Sequence, residues 1–203
     1  VNLTRQAYFA RISADRGYVR PGEEFVLTVR CLTPDGEPVK TEGVLHVAEV
    51  AYGSTDGGEY RETEVQHFAQ ATGDDGVAQV RLRSEKSGQL RVRFVAPDAW
   101  GGEVEGNALV WVCGADFDGT VHRFNDLELI TDKRTYRPGE VAHVLVNATS
   151  PRSHVLFSDD GRDGTLVSWR LLKLTGRSMV IDVPVKEGRV PNFHVEATTV
   201  SGY

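Results

Sequence analysis

The sequence predicts an all-β chain made of two tandem antiparallel β-sandwiches. Three observations carry this. Apolar residues recur at every second position in short runs, which is the pattern of strands with one buried face. The 21 glycines and 8 prolines fall largely between those runs, where tight reversals need positive or preset φ values. Finally, the segment Asp15 to Glu23 returns as Asp132 to Glu140, about one sandwich domain further along the chain.

Taken in order, the alternation runs through Phe25, Leu27, Val29 and Cys31, then through Val44, His46, Ala48 and Val50 offset against Leu45 and Val47. It continues in Val80 and Leu82, in Leu90, Val92 and Phe94, and in Leu109, Trp111 and Cys113. Turn signals separate these runs at Pro21-Gly22, Pro34-Asp35-Gly36, Asp56-Gly57-Gly58, Asp74-Asp75-Gly76, Ser87-Gly88 and Gly101-Gly102. Strands are expected near residues 6–14, 24–32, 43–52, 60–71, 77–83, 89–96 and 107–113, about seven, which is one sandwich. A first domain therefore covers residues 1–114.

The pattern loosens through residues 115–125, a segment of ordinary linker length. Strand signals restart in a second domain, residues 126–203, near 126–132, 140–148, 153–158, 165–174, 177–185 and 192–199. With the Tyr slipped by one place, Asp, a basic residue, Arg, Pro, Gly and Glu recur at one offset, so the same strand-to-strand corner is used twice. The second domain reads one strand short, so the expectation is a piece truncated at its last strand with one sheet edge left open.

Composition bounds the function. Twenty-nine acidic against 23 basic residues give a net charge of −6, and no Lys/Arg cluster offers a field for nucleic acid. The apolar run from Ala108 to Val112 is far short of the ~20 residues of a membrane span. Residue one is Val and no signal-type segment follows, so the chain reads as an excised piece of a longer protein.

Three stretches resemble the macroglobulin domains of the alpha-2-macroglobulin family, particularly its bacterial members. They are Thr131-Asp132-Lys133 with Tyr136-Arg137-Pro138-Gly139-Glu140-Val141-Ala142, Leu109-Val110-Trp111-Val112, and Val190-Pro191-Asn192-Phe193-His194-Val195. Val167-Ser168-Trp169 and Val180-Ile181-Asp182-Val183-Pro184-Val185 fall in the same order as their counterparts in that family. The match is clearest from Asp126 to Tyr203 and weaker over the first domain. It implies immunoglobulin- or fibronectin-like macroglobulin sandwiches within a large protease trap. In such a trap a protease cuts a bait segment, the array collapses around it, and in many members a Cys-Gln thioester couples to the captured enzyme. The implied partners are neighbouring macroglobulin domains and, in the whole protein, target endopeptidases, in an extracytoplasmic setting.

This chain departs from that pattern in two respects. Cys31 precedes Leu32-Thr33-Pro34 and Cys113 precedes Gly114-Ala115-Asp116, so no Cys-x-Glu-Gln thioester is present. Nor is a long bait segment evident, the nearest candidate being the segment from Ala115 to Asn125. The two cysteines are expected not to bond to each other, because the ends of a second and a seventh strand lie at opposite poles of a sandwich.

The remaining reactive residue types fall in no recognised motif. His46, His67, His122, His143, His154 and His194 show no ligand spacing, and Ser150, Ser153, Ser168 and Ser178 lack a nucleophile elbow. Asp159-Asp160-Gly161-Arg162-Asp163-Gly164 offers carboxylates without the closing Glu of a calcium loop. Trp111 and Trp169 are expected in the core and Trp100 exposed. Asn2-Leu3-Thr4 and Asn147-Ala148-Thr149 are sequons. No catalytic, cofactor-binding or metal-ligating residue is assigned. The leading expectation is a non-catalytic scaffold fragment of an endopeptidase inhibitor, and the alternative is a tandem binding or adhesion module of a surface protein or polysaccharide-degrading enzyme.

Overall fold

The computed structural model describes residues 4–52, 60–114, 117–124, 126–160 and 166–199. The Asp56-Gly57-Gly58 turn, most of the Asn2-Leu3-Thr4 sequon and the Gly161 to Gly164 part of the acidic loop lie outside them. The chain is all-β and divides into two compact units, Val1–Ala51 with Tyr60–Val112, and Tyr52–Glu59 with Cys113–Tyr203.

In the first unit, β1 (Phe9–Ala14), β3 (Glu24–Leu32) and β6 (Val77–Arg83) form one sheet in the order β1-β3-β6. The second sheet runs β2-β8-β7-β4-β5, with β2 (Tyr18–Val19), β4 (Glu42–Tyr52), β5 (Tyr60–Ala71), β7 (Gly88–Pro97) and β8 (Glu103–Val112). Period-two alternation gives the core directly: Phe25, Leu27, Val29 and Cys31 are all buried along β3, facing Leu90, Val92 and Phe94 of β7 across one cluster. Each fully buried side chain of this size contributes about 1.5–3 kcal/mol.

Strand β8 departs from the sequence reading. Its core face is Val104, Val110 and Val112, not Leu109, Trp111 and Cys113, and Leu109 is exposed. The run Leu109-Val110-Trp111-Val112 is apolar on both faces, so its periodicity does not fix the phase. Trp111 and Cys113 are nonetheless buried.

In the second unit, β9 (Glu128–Thr131), β10 (Val141–Asn147) and β13 (Ser178–Pro184) form a sheet in the order β9-β10-β13. Strands β11 (His154–Asp160), β12 (Leu166–Lys173) and β14 (His194–Thr199) form the other, in the order β12-β11-β14. All these pairings are antiparallel. Ala142, Val144 and Val146 of β10 pack with Val155 and Phe157 of β11 and with Ile181 and Val183 of β13. A 3-10 turn, Glu187–Arg189, leads into β14.

Residues 117–124, expected to be part of a linker, pack as part of this second unit. The Asp118 carbonyl accepts the Arg177 and Ser178 backbone N–H groups at 2.6 and 2.8 Å, and Arg177 Nη1 donates to the His122 carbonyl at 2.9 Å. His122 and Phe124 are buried. The polar, glycine-containing sequence hides this, because its two buried side chains follow no strand periodicity.

Candidate functional site

The repeated corner is the best-defined device in the chain. In the second unit it begins where β9 ends, at Asp132, and closes where β10 begins. Pro138 presets its φ and Gly139 takes a φ of 91°, a left-handed step that suits glycine. The Gly139 N–H donates to the Val185 carbonyl at 2.8 Å, tying the corner to the end of β13. The Glu140 carboxylate accepts the Arg137 backbone N–H at 2.9 Å and Lys133 Nζ at 3.2 Å, and these bonds hold its pKa below the usual carboxylate range.

Asp132 Oδ1 accepts both the Tyr136 hydroxyl, at 2.5 Å, and the His143 backbone N–H, at 3.1 Å. The Lys133 N–H donates to the Tyr136 oxygen at 3.0 Å, and Lys133 Nζ lies 5.7 Å from the centre of the tyrosine ring. Burial first, then the hydrogen bond to Asp132, pushes the Tyr136 phenol up to about 12. Tyr136 thus covers one end of the core through its ring while its hydroxyl fixes the corner.

A cleft of about 370 Å³ opens beside this tyrosine. Val144 and Val185 line its inner side, and Val190, Pro191, Asn192, Phe193 and Val195 form the wall leading into β14. Lys133, Arg134 and Arg137 also line it and are exposed. It therefore offers apolar walls, one phenol and a cationic mouth, a setting suited to an apolar side chain or an extended peptide. The sequence singled out both Tyr136 and the Val190 to Val195 stretch but gave no reason to bring them together.

The outer face of the β12-β11-β14 sheet is a second exposed apolar feature. Leu156 pairs with Leu171 and Ser158 with Trp169, so these side chains share one face. Trp169, Leu171 and Leu156 are 65, 64 and 46% exposed. The expectation of Trp169 in the core is thus corrected. The alternate residues Ser168, Arg170 and Leu172 share the other face, where Ser168 donates to the buried Asp159 at 2.9 Å and Arg170 lies over the Phe157 ring. The run Val167-Ser168-Trp169-Arg170-Leu171-Leu172 contains two competing alternations, and sheet register chooses the one that leaves Trp outside. Trp100 is exposed, as the sequence suggested.

The remaining singled-out residues form no reactive constellation among the described residues. The hydroxyls of Ser153, Ser168 and Ser178 donate to the Ser150 carbonyl, the Asp159 carboxylate and the Asn147 amide oxygen. Asn147 is wholly buried, so its sequon is closed to a glycan in the folded unit. His143 Nδ1 lies 2.6 Å from Asp182 across the β10–β13 pair. Folding does bring together two histidines that sequence spacing kept apart, since Glu64 bridges His46 and His67 at 2.7 and 2.9 Å. Even so, among the described residues no three His, Cys, Asp or Glu side chains are placed to hold a metal ion. Cys31 and Cys113 are both free thiols, and burial raises them to about 11 and about 12.

Residues 127–202 match the alpha-2-macroglobulin bait region domain. Among solved structures, the chain is similar to trypsin-activated alpha-2-macroglobulin from Escherichia coli, with 15% identity and a TM-score of 0.39 over 98% of this chain and 17% of that one. It is also similar to a methylamine-reacted Salmonella alpha-2-macroglobulin, with 14% identity and a TM-score of 0.41 over 95% of this chain and 15% of that one. Spo0M, a sporulation control protein from Bacillus subtilis, gives 9% identity and a TM-score of 0.38 over 95% of this chain and 90% of that one. The chain thus spans about one sixth of the length of the two macroglobulins. No curated protein sequence matches it.

Proposed function

From the match of residues 127–202 to the alpha-2-macroglobulin bait region domain, we propose that this chain is a non-catalytic scaffold section of an alpha-2-macroglobulin-like endopeptidase inhibitor. Its role is to hold and orient neighbouring domains of a protease trap outside the cytoplasm, and target endopeptidases are its partners only through the whole protein. The hydrogen-bonded corners suit such a role, because they fix the strand-to-strand geometry of each unit by internal hydrogen bonds that need no ligand. Neither cysteine lies in a thioester sequence, so covalent capture belongs elsewhere in such a protein.

The test is to mix the isolated chain with a trypsin-like endopeptidase and follow cleavage of a large protein substrate. The scaffold reading predicts an unchanged rate at stoichiometric and at tenfold excess. Stoichiometric slowing would mean that the chain is itself an inhibitor. A second reading, a tandem binding module, draws on the exposed Leu156, Trp169 and Leu171 face. Saturable binding of a polysaccharide or of a host surface protein to that face would favour it.

A further inference from the structure

The outer face of the β1-β3-β6 sheet gathers arginines that lie far apart in the sequence. Phe25, Leu27 and Val29 turn inward, so Glu24, Val26, Thr28 and Arg30 share the outer face of β3. Register sets Arg11 of β1 directly opposite Arg30, with Val77 of β6 on the other side of Arg30. The next row reads Ser13, Thr28 and Gln79, and beyond it Arg81 and Arg83 stand opposite Val26 and Glu24. All four arginines are exposed. Glu24 is the one carboxylate these strands place on that face, in a chain whose net charge is −6.

The two ends of the face differ. Arg81 Nε lies 3.8 Å from Glu24, and Arg83 Nε lies 2.7 Å from Glu85 in the following turn. Arg11 and Arg30 have no carboxylate partner among the described residues, although like charges directly opposite on antiparallel strands repel.

The second unit shows that the sandwich does not require this arrangement. At the offset of 117 residues that relates Asp15 to Asp132, Arg11 and Arg30 become Glu128 and Asn147, a hydrogen-bonded pair at 3.4 Å. Val26 and Arg81 become His143 and Asp182, 2.6 Å apart. The polar row Ser13, Thr28, Gln79 becomes Ile130, Leu145, Val180. Leu145 and Asn147 are wholly buried, whereas Arg30 is exposed and Thr28 only partly buried. The same sheet face is thus paired and covered in one unit, cationic and open in the other.

We propose that this open face binds an acidic polysaccharide whose carboxylates are separated by neutral sugars. A guanidinium fork matches a carboxylate in its own plane, and Arg11 and Arg30 together would hold one such group. The Ser13 and Thr28 hydroxyls and the Gln79 amide make no side-chain hydrogen bond among the described residues, and they would meet sugar hydroxyls in the row beyond. Val26, opposite Arg81, lies four residues from Arg30 along β3, about 14 Å, which sets the place of a second carboxylate. Phe9 is 48% exposed and two residues from Arg11, so its ring offers a surface to the apolar face of a sugar. A densely charged polymer gains less, because the cations stand at the ends of the face and the chain as a whole is anionic. The proposal rests on the first unit alone and stands whether or not the trap reading holds.

The test titrates the whole chain at low salt with hyaluronate octasaccharides, in which a carboxylate stands on every second sugar, and reads binding by calorimetry. Saturable binding with a Kd below about 1 mM is expected, and Arg11→Gln combined with Arg30→Gln should weaken it by about tenfold or more. Trp169→Ala, in the second unit, should bind as the parent does. The double arginine variant should unfold at the same urea concentration as the parent or a higher one, because it removes a repulsion. A lower midpoint would make the two arginines part of the fold and overturn the proposal. No binding at about 1 mM, equal binding of uncharged dextran or of polyglutamate, tighter binding of heparin or of an oligonucleotide, or binding indifferent to the two arginines would each overturn it as well.

Discussion

Asp132 and Tyr136 are joined by a 2.5 Å hydrogen bond, and the carboxylate oxygen that accepts it also accepts the His143 backbone N–H at the start of the next strand. The first unit repeats half of this arrangement. Asp15 Oδ1 accepts the Val26 N–H at 3.0 Å, eleven residues on, as His143 is from Asp132. In both corners the closing glutamate accepts the N–H of the arginine before Pro-Gly, and the following glycine has positive φ. The repeated letters therefore encode a repeated hydrogen-bond pattern.

Removing Asp132 should cost more than removing Asp15. Asp132→Ala loses two bonds and leaves the Tyr136 hydroxyl without its acceptor, and Tyr136→Phe loses two as well, the one to Asp132 and the one from the Lys133 N–H, about 2 kcal/mol each, whereas Asp15→Ala loses one bond, about 1 kcal/mol. Denaturant unfolding of the three variants, read separately for the two units, checks the order. An Asp15→Ala loss equal to or larger than that of Asp132→Ala would contradict it.

The Tyr136 phenol gives the second unit an alkaline limit. Its folded pKa, about 12, lies above the ordinary 10.0, so its contribution is whole below about pH 10 and is lost as pH rises through 12. Buried Tyr8, Cys31 and Cys113 are raised as well, so the comparison must be made against Tyr136→Phe. That variant should show a shallower fall in stability between pH 10 and 12 than the parent chain; parallel curves would contradict the assignment.

Both thiols should be silent in the folded chain. Burial disfavours their thiolates, and the thiolate is the reactive form. Titration with a thiol reagent at pH 8 should find almost none in native protein and two per chain after unfolding without reductant. Two rapidly reacting thiols in native protein would contradict their burial.

Trp169 should report the phase of β12. Because it stands in solvent, Trp169→Phe should remove a readily quenched part of the tryptophan fluorescence while changing stability by less than about 0.5 kcal/mol. A loss of several kcal/mol would return Trp169 to the core, where the sequence reading had put it.

The strands were legible because period-two alternation and turn residues carry most of their information locally. Runs such as those at 24–32 and 77–83 coincide with β3 and β6. What stayed hidden depends on contacts between distant residues. The phases of β8 and β12 are set by sheet register, since either face of Leu109 to Val112 or of Val167 to Leu172 can serve as the buried one. The short β2 pairs with residues more than ninety positions away, and the 117–124 segment docks through the Asp118 and His122 carbonyls and the buried His122 and Phe124, which follow no strand periodicity. For the candidate site, Tyr136 and Phe193 each belonged to a recognisable motif, but only the closure of the second unit places them around one cleft.

The most direct measurement of the scaffold reading uses the longer protein that bears this chain, after reaction with an endopeptidase. A trap encloses its protease, so access is limited by substrate size. Cleavage of a large protein should fall to near zero while cleavage of a small chromogenic peptide persists, and deleting residues 127–202 should abolish the difference. Loss of both activities together would indicate direct active-site blockade, and full cleavage of both substrates would mean that the protein is no inhibitor; either result contradicts the reading.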